Sequence, residues 1–278
     1  MATPLVAAAA IQIREYFMKG YYPSGSMNKD DSFVPSGALL KAMLIHSTVS
    51  LTASIDKNGA SQSIDDSTYP SREAGFGRVQ LNRVLNFGKN DNSKEVALFV
   101  VGAAYPEESS TNLEDDDVII SYGRYQTSSK NEPPLYVALK SPGASYSFSF
   151  NSGDCINEND CSIRVTLAYT DIVGSSGSAN LVLNDLDMII TSSNGEEILP
   201  PKQYATSPVE SIILNPQRKT NYTVTITATT LYSRQSFSLV ITGNVYRFQN
   251  DEGFLRSVIH LYWWLYGRLG FNTPYVGI

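Results

Sequence analysis

Two cysteines and two histidines in 278 residues leave little room for several kinds of chemistry. Cys155 and Cys161, in the stretch GDCINENDC, are too few for a thiolate metal centre and are not spaced as a CxxC redox pair. Their separation suits a small disulfide-closed loop in an exported protein, and free thiols otherwise. Charge is also scarce. Asp, Glu, Lys and Arg make up 17% of the chain and the net charge is −6, so no basic patch exists to neutralise phosphates and nucleic acid is excluded as a partner. An uninterrupted apolar run of about 20 residues, which a membrane-spanning helix needs, is missing. The most apolar stretch, FLRSVIHLYWWLYGRLGF at 254–271, is broken by Arg256, His260 and Arg268. It reads as a segment packed against the rest of the fold, with Trp263 and Trp264 at a membrane surface as the alternative. No charge precedes Arg14, so the opening residues lack the basic n-region of a secretory signal and read as a helix.

What the chain does contain is enough apolar material for real cores, 42% of the residues, and a length fitting one large or two ordinary domains. Seventeen tyrosines with many serines and threonines suit a β-rich, extracellular-looking surface. Residues 1–88 read as helical. Thr3 is an N-cap candidate and Pro4 fits the first helical position. Val6, Ala9, Ala10, Ile13, Tyr16 and Phe17 follow at helical spacing, and Gly20 supplies the stop. A second helix has an apolar face of Leu39, Leu40, Met43 and Leu44 and ends at His46, a side chain that suits the negative end of a helix dipole. The loop NGASQSIDDSTYPSREAG is polar and turn-rich. No complete parallel sheet can be assembled in this region, so these helices are expected to lack the surface they should cover.

From about Asn90 the pattern changes to period two. EVALFVV, PLYVALK, SYSFSF, SIRVTLAYT, LDMIITSSNGEEI (with the turn pair Asn194-Gly195), ESIILN, NYTVTITAT and QSFSLVIT are strand candidates. Eight or more short strands separated by turn signals predict a β-sandwich or jelly roll. The acidic run NLEDDDVII reads as a solvated loop, with calcium as the lesser reading. Asp185 and Asp187 flank Leu186 at strand spacing, so both carboxylates point to one face. They read as a solvent-facing strand, and with Asp171 and Asn184 as a calcium site in the second reading. Asn221-Tyr222-Thr223 is a glycosylation sequon.

Three ordered stretches carry a resemblance. Met1-Ala2-Thr3-Pro4, followed by Leu5-Val6-Ala7-Ala8-Ala9, resembles the segment just after the nucleophile of subtilisin-like serine proteases, where Gly-Thr-Ser-Met-Ala-Thr-Pro leads into an Ala-rich helix. PSGALLKAMLIHST (35–48) looks like the family's next helix. GFGRVQLNRVL (75–85) looks like its closing strand-end and helix, with Phe76 in place of Tyr. Residues from VTLAYTD to FSLVITG resemble the jelly-roll domain that follows the catalytic unit in one group of these enzymes. The resemblance implies the end of an α/β peptidase domain at 1–88, a jelly-roll sandwich at 89–245 and an apolar tail at 246–278.

It further implies a protein that cuts protein or peptide substrates through a Ser-His-Asp triad, is secreted or displayed at the cell surface, and needs no cofactor, calcium being the only candidate. The nucleophilic Ser would immediately precede Met1, and the Asp and His would lie further upstream, so this chain alone is expected to be inactive. Met1, Ala2, Thr3 and Pro4 would only hold the nucleophile's turn. His46 and His260 both fall downstream of that Ser and match no triad position. The rival reading is a non-catalytic β-sandwich that binds a partner.

Overall fold

The computed structural model describes residues 2–55, 58–64, 70–71, 73–88, 97–104, 111–114, 117–122, 133–153, 162–177, 182–200, 207–217 and 219–249. Two helices come first, α1 (Ala2–Met18) and α2 (Gly37–His46), followed by a small hairpin of β1 (Ala53–Ile55) and β2 (Ser61–Ser63). Twelve further strands build two sheets. The first has the order β10 (Glu197–Ile198), β9 (Asp185–Ser192), β12 (Asn221–Thr230), β7 (Ser145–Ser152), β14 (Val245–Gln249). The second runs β11 (Val209–Leu214), β8 (Ile163–Tyr169), β13 (Gln235–Gly243), β6 (Tyr136–Leu139), β5 (Val118–Tyr122), β4 (Thr111–Glu114), with β3 (Ala97–Val101) also paired to β13.

Period-two patterning explains the sandwich. Tyr146, Phe148 and Phe150 on β7, Leu186, Met188 and Ile190 on β9, and Tyr222, Val224 and Ile226 on β12 all point inward. They meet Ile163, Val165 and Leu167 of β8 and Phe237, Leu239 and Ile241 of β13 in one core. Their serine and threonine neighbours point out. The Asn194-Gly195 turn forms as expected, with Gly195 at φ 85° and the β10 pairing Glu197↔Thr191 beyond it.

The α/β assignment for the opening region is overturned. Every strand pair among the described residues is antiparallel, and the region up to residue 88 contributes only the β1–β2 hairpin to any sheet. Over the described residues the chain is a β-rich sandwich with two helices, not the end of an α/β domain. The helices are also not without a surface. β8 and β13 are buried on both faces: their odd-numbered residues fill the sandwich, while Ala168 and Val240 face the other way. A second apolar cluster forms there, joining Ile13, Tyr16 and Phe17 of α1 and Leu39, Ala42 and Met43 of α2 to Val100, Ala168, Val209 and Val240. The layers are therefore helix, sheet, sheet. An amphipathic helix needs only some apolar surface to cover, and the back of the second sheet supplies it.

Local details follow from the sequence with small shifts. α1 already begins at Ala2, so Thr3 and Pro4 lie in its first turn and Thr3 is not the cap. Gly20, at φ 69°, ends it, and a Cβ there would fall 1.7 Å from the Asn28 carbonyl oxygen. Ser36 caps α2 by accepting from the Leu39 amide. The stretch expected to form a closing helix makes only a single 3₁₀ turn, Leu81–Arg83. β1, β2, β4, β5 and β14 are strands that the pattern did not reveal: β2 falls in the stretch read as a polar loop, and the acidic run read as a solvated loop spans the end of β4 and the start of β5.

Candidate functional site

Two polar clusters stand out inside this mostly apolar framework. The first lies between α2 and the second sheet. His46 is 1% exposed, and both ring nitrogens are engaged: Nδ1 with Thr166 Oγ1 at 2.9 Å and Nε2 with Thr242 Oγ1 at 2.8 Å. Thr166 continues to Ser211 at 2.9 Å. Arg164 Nη1 donates to the His46 and Thr48 carbonyls, both at 2.8 Å, and so satisfies acceptors at the end of α2. Near the N-terminus of α2, Ser36 Oγ lies 3.1 Å from Ser238 Oγ, which donates to the Gly102 carbonyl.

Burial, then the nearby Arg164 and Arg83 guanidiniums, hold the His46 pKa well below its ordinary 6.5. His46 is thus held neutral and links the end of α2 to β8 and β13. The expected favourable charge at the helix end is supplied by Arg164 instead. Among the described residues no carboxylate orients the ring, and a side chain so deeply buried cannot meet a substrate.

The second cluster sits at the other edge of the sandwich. Asp171 uses Oδ1 to accept from the Ile172 and Asn184 amides and Oδ2 to accept from Leu183. Asn184, fully buried, donates to Gln235 Oε1 at 2.8 Å and accepts from the Tyr232 amide. Tyr169 donates its hydroxyl proton to the Asn184 carbonyl at 2.9 Å. This network ties the connection before β9 to the turn before β13. Asp185 and Asp187 do share a face, the outer one, where Thr229 donates to Asp187. Burial and the Asp187 charge both raise the Asp185 pKa. Among the described residues no group of three or more His, Cys, Asp or Glu is arranged to hold a metal ion. The oxygens of Asp171 and Asn184 that calcium would require are already accepting from backbone amides.

Sequence reasoning missed Glu210 and Arg164. Glu210, 6% exposed, projects from β11 between the sheets, and its Oε2 accepts from the Met188 amide of β9 at 2.7 Å. Burial lifts its pKa from 4.5 to about 8, against the lowering effect of that hydrogen bond, and Asp187 and Asp185 push it the same way as burial. The signal was one charged residue in the otherwise apolar-facing strand VESIIL. Arg164 alternates with Ile163 and Val165 as a solvent-facing residue would, and only the helical layer puts it inside.

Of the remaining candidates, Ala2, Thr3 and Pro4 are exposed on the leading turn of α1, beside Leu5 at 72% and Ile11 at 66% exposure. Asn221 is exposed at the start of β12. Met1, Cys155, Cys161, Asp115, Asp116, His260 and the apolar segment 254–271 lie outside the described residues. No helix among the described residues is long and apolar enough to cross a membrane.

No protein-family model matches the chain. Three proteins of Dictyostelium discoideum are similar to it. The serine protease/ABC transporter B family protein tagB is 26% identical over 269 residues, covering 87% of this chain and 13% of tagB. The proteins tagD and tagA, named in the same way, are 26% identical over 204 residues and 28% identical over 189 residues. They are covered over 10% and 8% of their lengths, so the chain spans about a tenth of the curated relatives it matches. A carbohydrate esterase of family two from Cellvibrio japonicus aligns over 56% of this chain and 36% of its own at 12% identity, with a TM-score of 0.27, too slight a likeness to carry any argument. The chain is thus similar, at low identity, to proteins whose names join a serine protease to an ABC transporter.

Proposed function

We propose that this chain is a non-catalytic portion of a subtilisin-like serine endopeptidase, a β-sandwich with a helical flank that serves a peptidase unit located elsewhere in a longer protein. The observation that carries the reading is the match, across 87% of the chain, to a relative named as a serine protease joined to a transporter. The motif Ala2-Thr3-Pro4 and the Ala-rich turn after it favour the protease part of such a protein over the transporter part. Residues 2–88 are in this reading a layer on the sandwich and not a slice of the peptidase's own core. The first turns of α1 support it further. Leu5, Val6 and Ile11 stand exposed on different sides of these turns, apolar area suited to being covered by another unit of the longer protein.

The complete protein would hydrolyse peptide bonds by attack of a serine hydroxyl on the carbonyl carbon, with a histidine taking the proton and an aspartate holding the histidine's tautomer. His46 takes no part, because two threonine hydroxyls occupy its nitrogens. Labelling with a fluorophosphonate probe tests this. The purified 278-residue chain should take no label and should not hydrolyse casein. The longer protein that contains this chain should label at a serine outside these 278 residues. A labelled serine within the 278 residues, or a longer protein that takes no label, would overturn the proposal.

A further inference from the structure

The sequon Asn221-Tyr222-Thr223 is the only one in the chain, and it opens β12 with Asn221 exposed. Tyr222 is buried in the sandwich core at 3% exposure, and its hydroxyl accepts from the Gln217 amide at 2.9 Å. In a strand, successive side chains alternate between faces. Anchoring Tyr222 inward therefore forces Asn221 and Thr223 outward. Asn221 is exposed at the first position of β12, paired with Asn151 of β7; the pairing of β12 with β9 starts one residue later, at Tyr222↔Ser192. Its carbonyl accepts from the Ser193 amide, which fixes the backbone, while among the described residues its side-chain amide has no hydrogen-bond partner.

The face on which Asn221 stands is the outer face of the first sheet. It carries Ser145, Ser147, Thr225 and Thr227, with hydroxyl pairs Ser147–Thr225 at 2.9 Å and Ser149–Thr223 at 2.8 Å. On β7, β9 and β12 no large apolar side chain of this face is exposed; Ile189 is half-buried. A surface of this kind offers little hydrophobic gain to a covering protein element, so it stays open to solvent. The opposite sheet is the one the helices cover.

We infer that Asn221 is an N-glycosylation site and that its glycan rises from the hydroxyl-lined face of the first sheet. The donor is a polyprenyl-diphosphate-linked oligosaccharide. The Asn221 carboxamide nitrogen attacks C1 of its first N-acetylglucosamine. The C1–O bond to the diphosphate breaks, a C1–N bond forms, and the nitrogen gives up one proton to a base of the transferase. No electrons are exchanged. The Thr223 hydroxyl is the acceptor's recognition element, and transfer precedes its pairing with Ser149 in the finished sheet.

The full chain, isolated from its own cells, is treated with peptide-N-glycosidase F in heavy-oxygen water and its peptides are analysed by mass spectrometry. Conversion of Asn221 to heavy-oxygen-labelled Asp is expected; an unmodified Asn221 peptide as the only form overturns the inference. In a eukaryotic secretory host, wild-type chain and Thr223→Ser should lose the mass of one glycan on digestion. Asn221→Gln and Thr223→Val should migrate at the digested position without treatment. A glycosidase-sensitive shift that survives in both of those variants would place the glycan elsewhere and refute the assignment. None of these outcomes depends on whether the longer protein is a peptidase.

Discussion

Glu210→Gln should make the protein more stable above neutral pH and leave it nearly unchanged in mild acid. The carboxylate is sealed between the two sheets, and among the described residues its donor is one backbone amide, that of Met188. Because its folded pKa is raised, from 4.5 to about 8, its contribution favours the folded state fully below pH 4.5 and is lost as pH rises through 8. Each pH unit between those values costs about 1.4 kcal/mol, so holding the charged form at pH 9 costs on the order of 5 kcal/mol relative to pH 4. Glutamine has the same shape, keeps an oxygen for the Met188 amide and carries no charge. Urea midpoints measured from pH 5 to pH 9 should therefore fall for the wild type and stay flatter for the variant. The gap should open by a few kcal/mol at the alkaline end with the m-value unchanged. Two parallel curves would refute the reasoning, since they would mean that Glu210 is either solvated or charged at no cost.

His46 works in the opposite direction. Its folded pKa lies well below 6.5, so its contribution is intact above pH 6.5 and fades as pH falls below that value; melting curves of His46→Gln should lack this acid limb. Ser36→Ala removes both the cap on Leu39 and the link to Ser238, and should lower stability by about 1–2 kcal/mol in urea titrations. Hydrogen exchange should show the amides of 40–46 protected to nearly the global limit, because α2 lies on β8 and β13, while those of residues 5–8 in the exposed turns of α1 exchange fast. Equal, rapid exchange of both helices would mean that the helical layer is not docked.

The sandwich was legible because its strands alternate cleanly. TVTIT can only be half-buried, and β12 shows that pattern of alternating burial. The helices were legible as helices but not as a layer. Nothing in GALLKAMLIH says which surface its apolar face will meet, and a resemblance to a known enzyme family suggested a sheet that this chain does not contain. The same ambiguity hid the polar seam. In IRVTLAY the residues Arg164, Thr166 and Ala168 fit a wet face as well as a covered one, and only the long-range contacts of His46 with Thr166 and Thr242 decide the matter. Glu210 was concealed for a related reason. A single carboxylate in a strand is usually outward-facing, and the parity of Ile212 and Leu214 turns this one inward.

The asymmetry of the three layers also constrains how a longer protein could use this one. Attachment of a neighbouring unit draws on buried apolar area, and the molecule offers such area on the helical side. There the leading turns of α1 expose Leu5, Val6 and Ile11, and Ala7 and Ala8 permit close approach. The outer face of the first sheet offers hydroxyls and two aspartates, which lose hydration when covered and regain little. The sandwich core and the second sheet lie between these two surfaces. A glycan on Asn221 would consequently project away from α1 and would not compete with a peptidase unit seated there. Placing a bulky polar group instead at Arg14, on the exposed side of α1, would obstruct that seat directly.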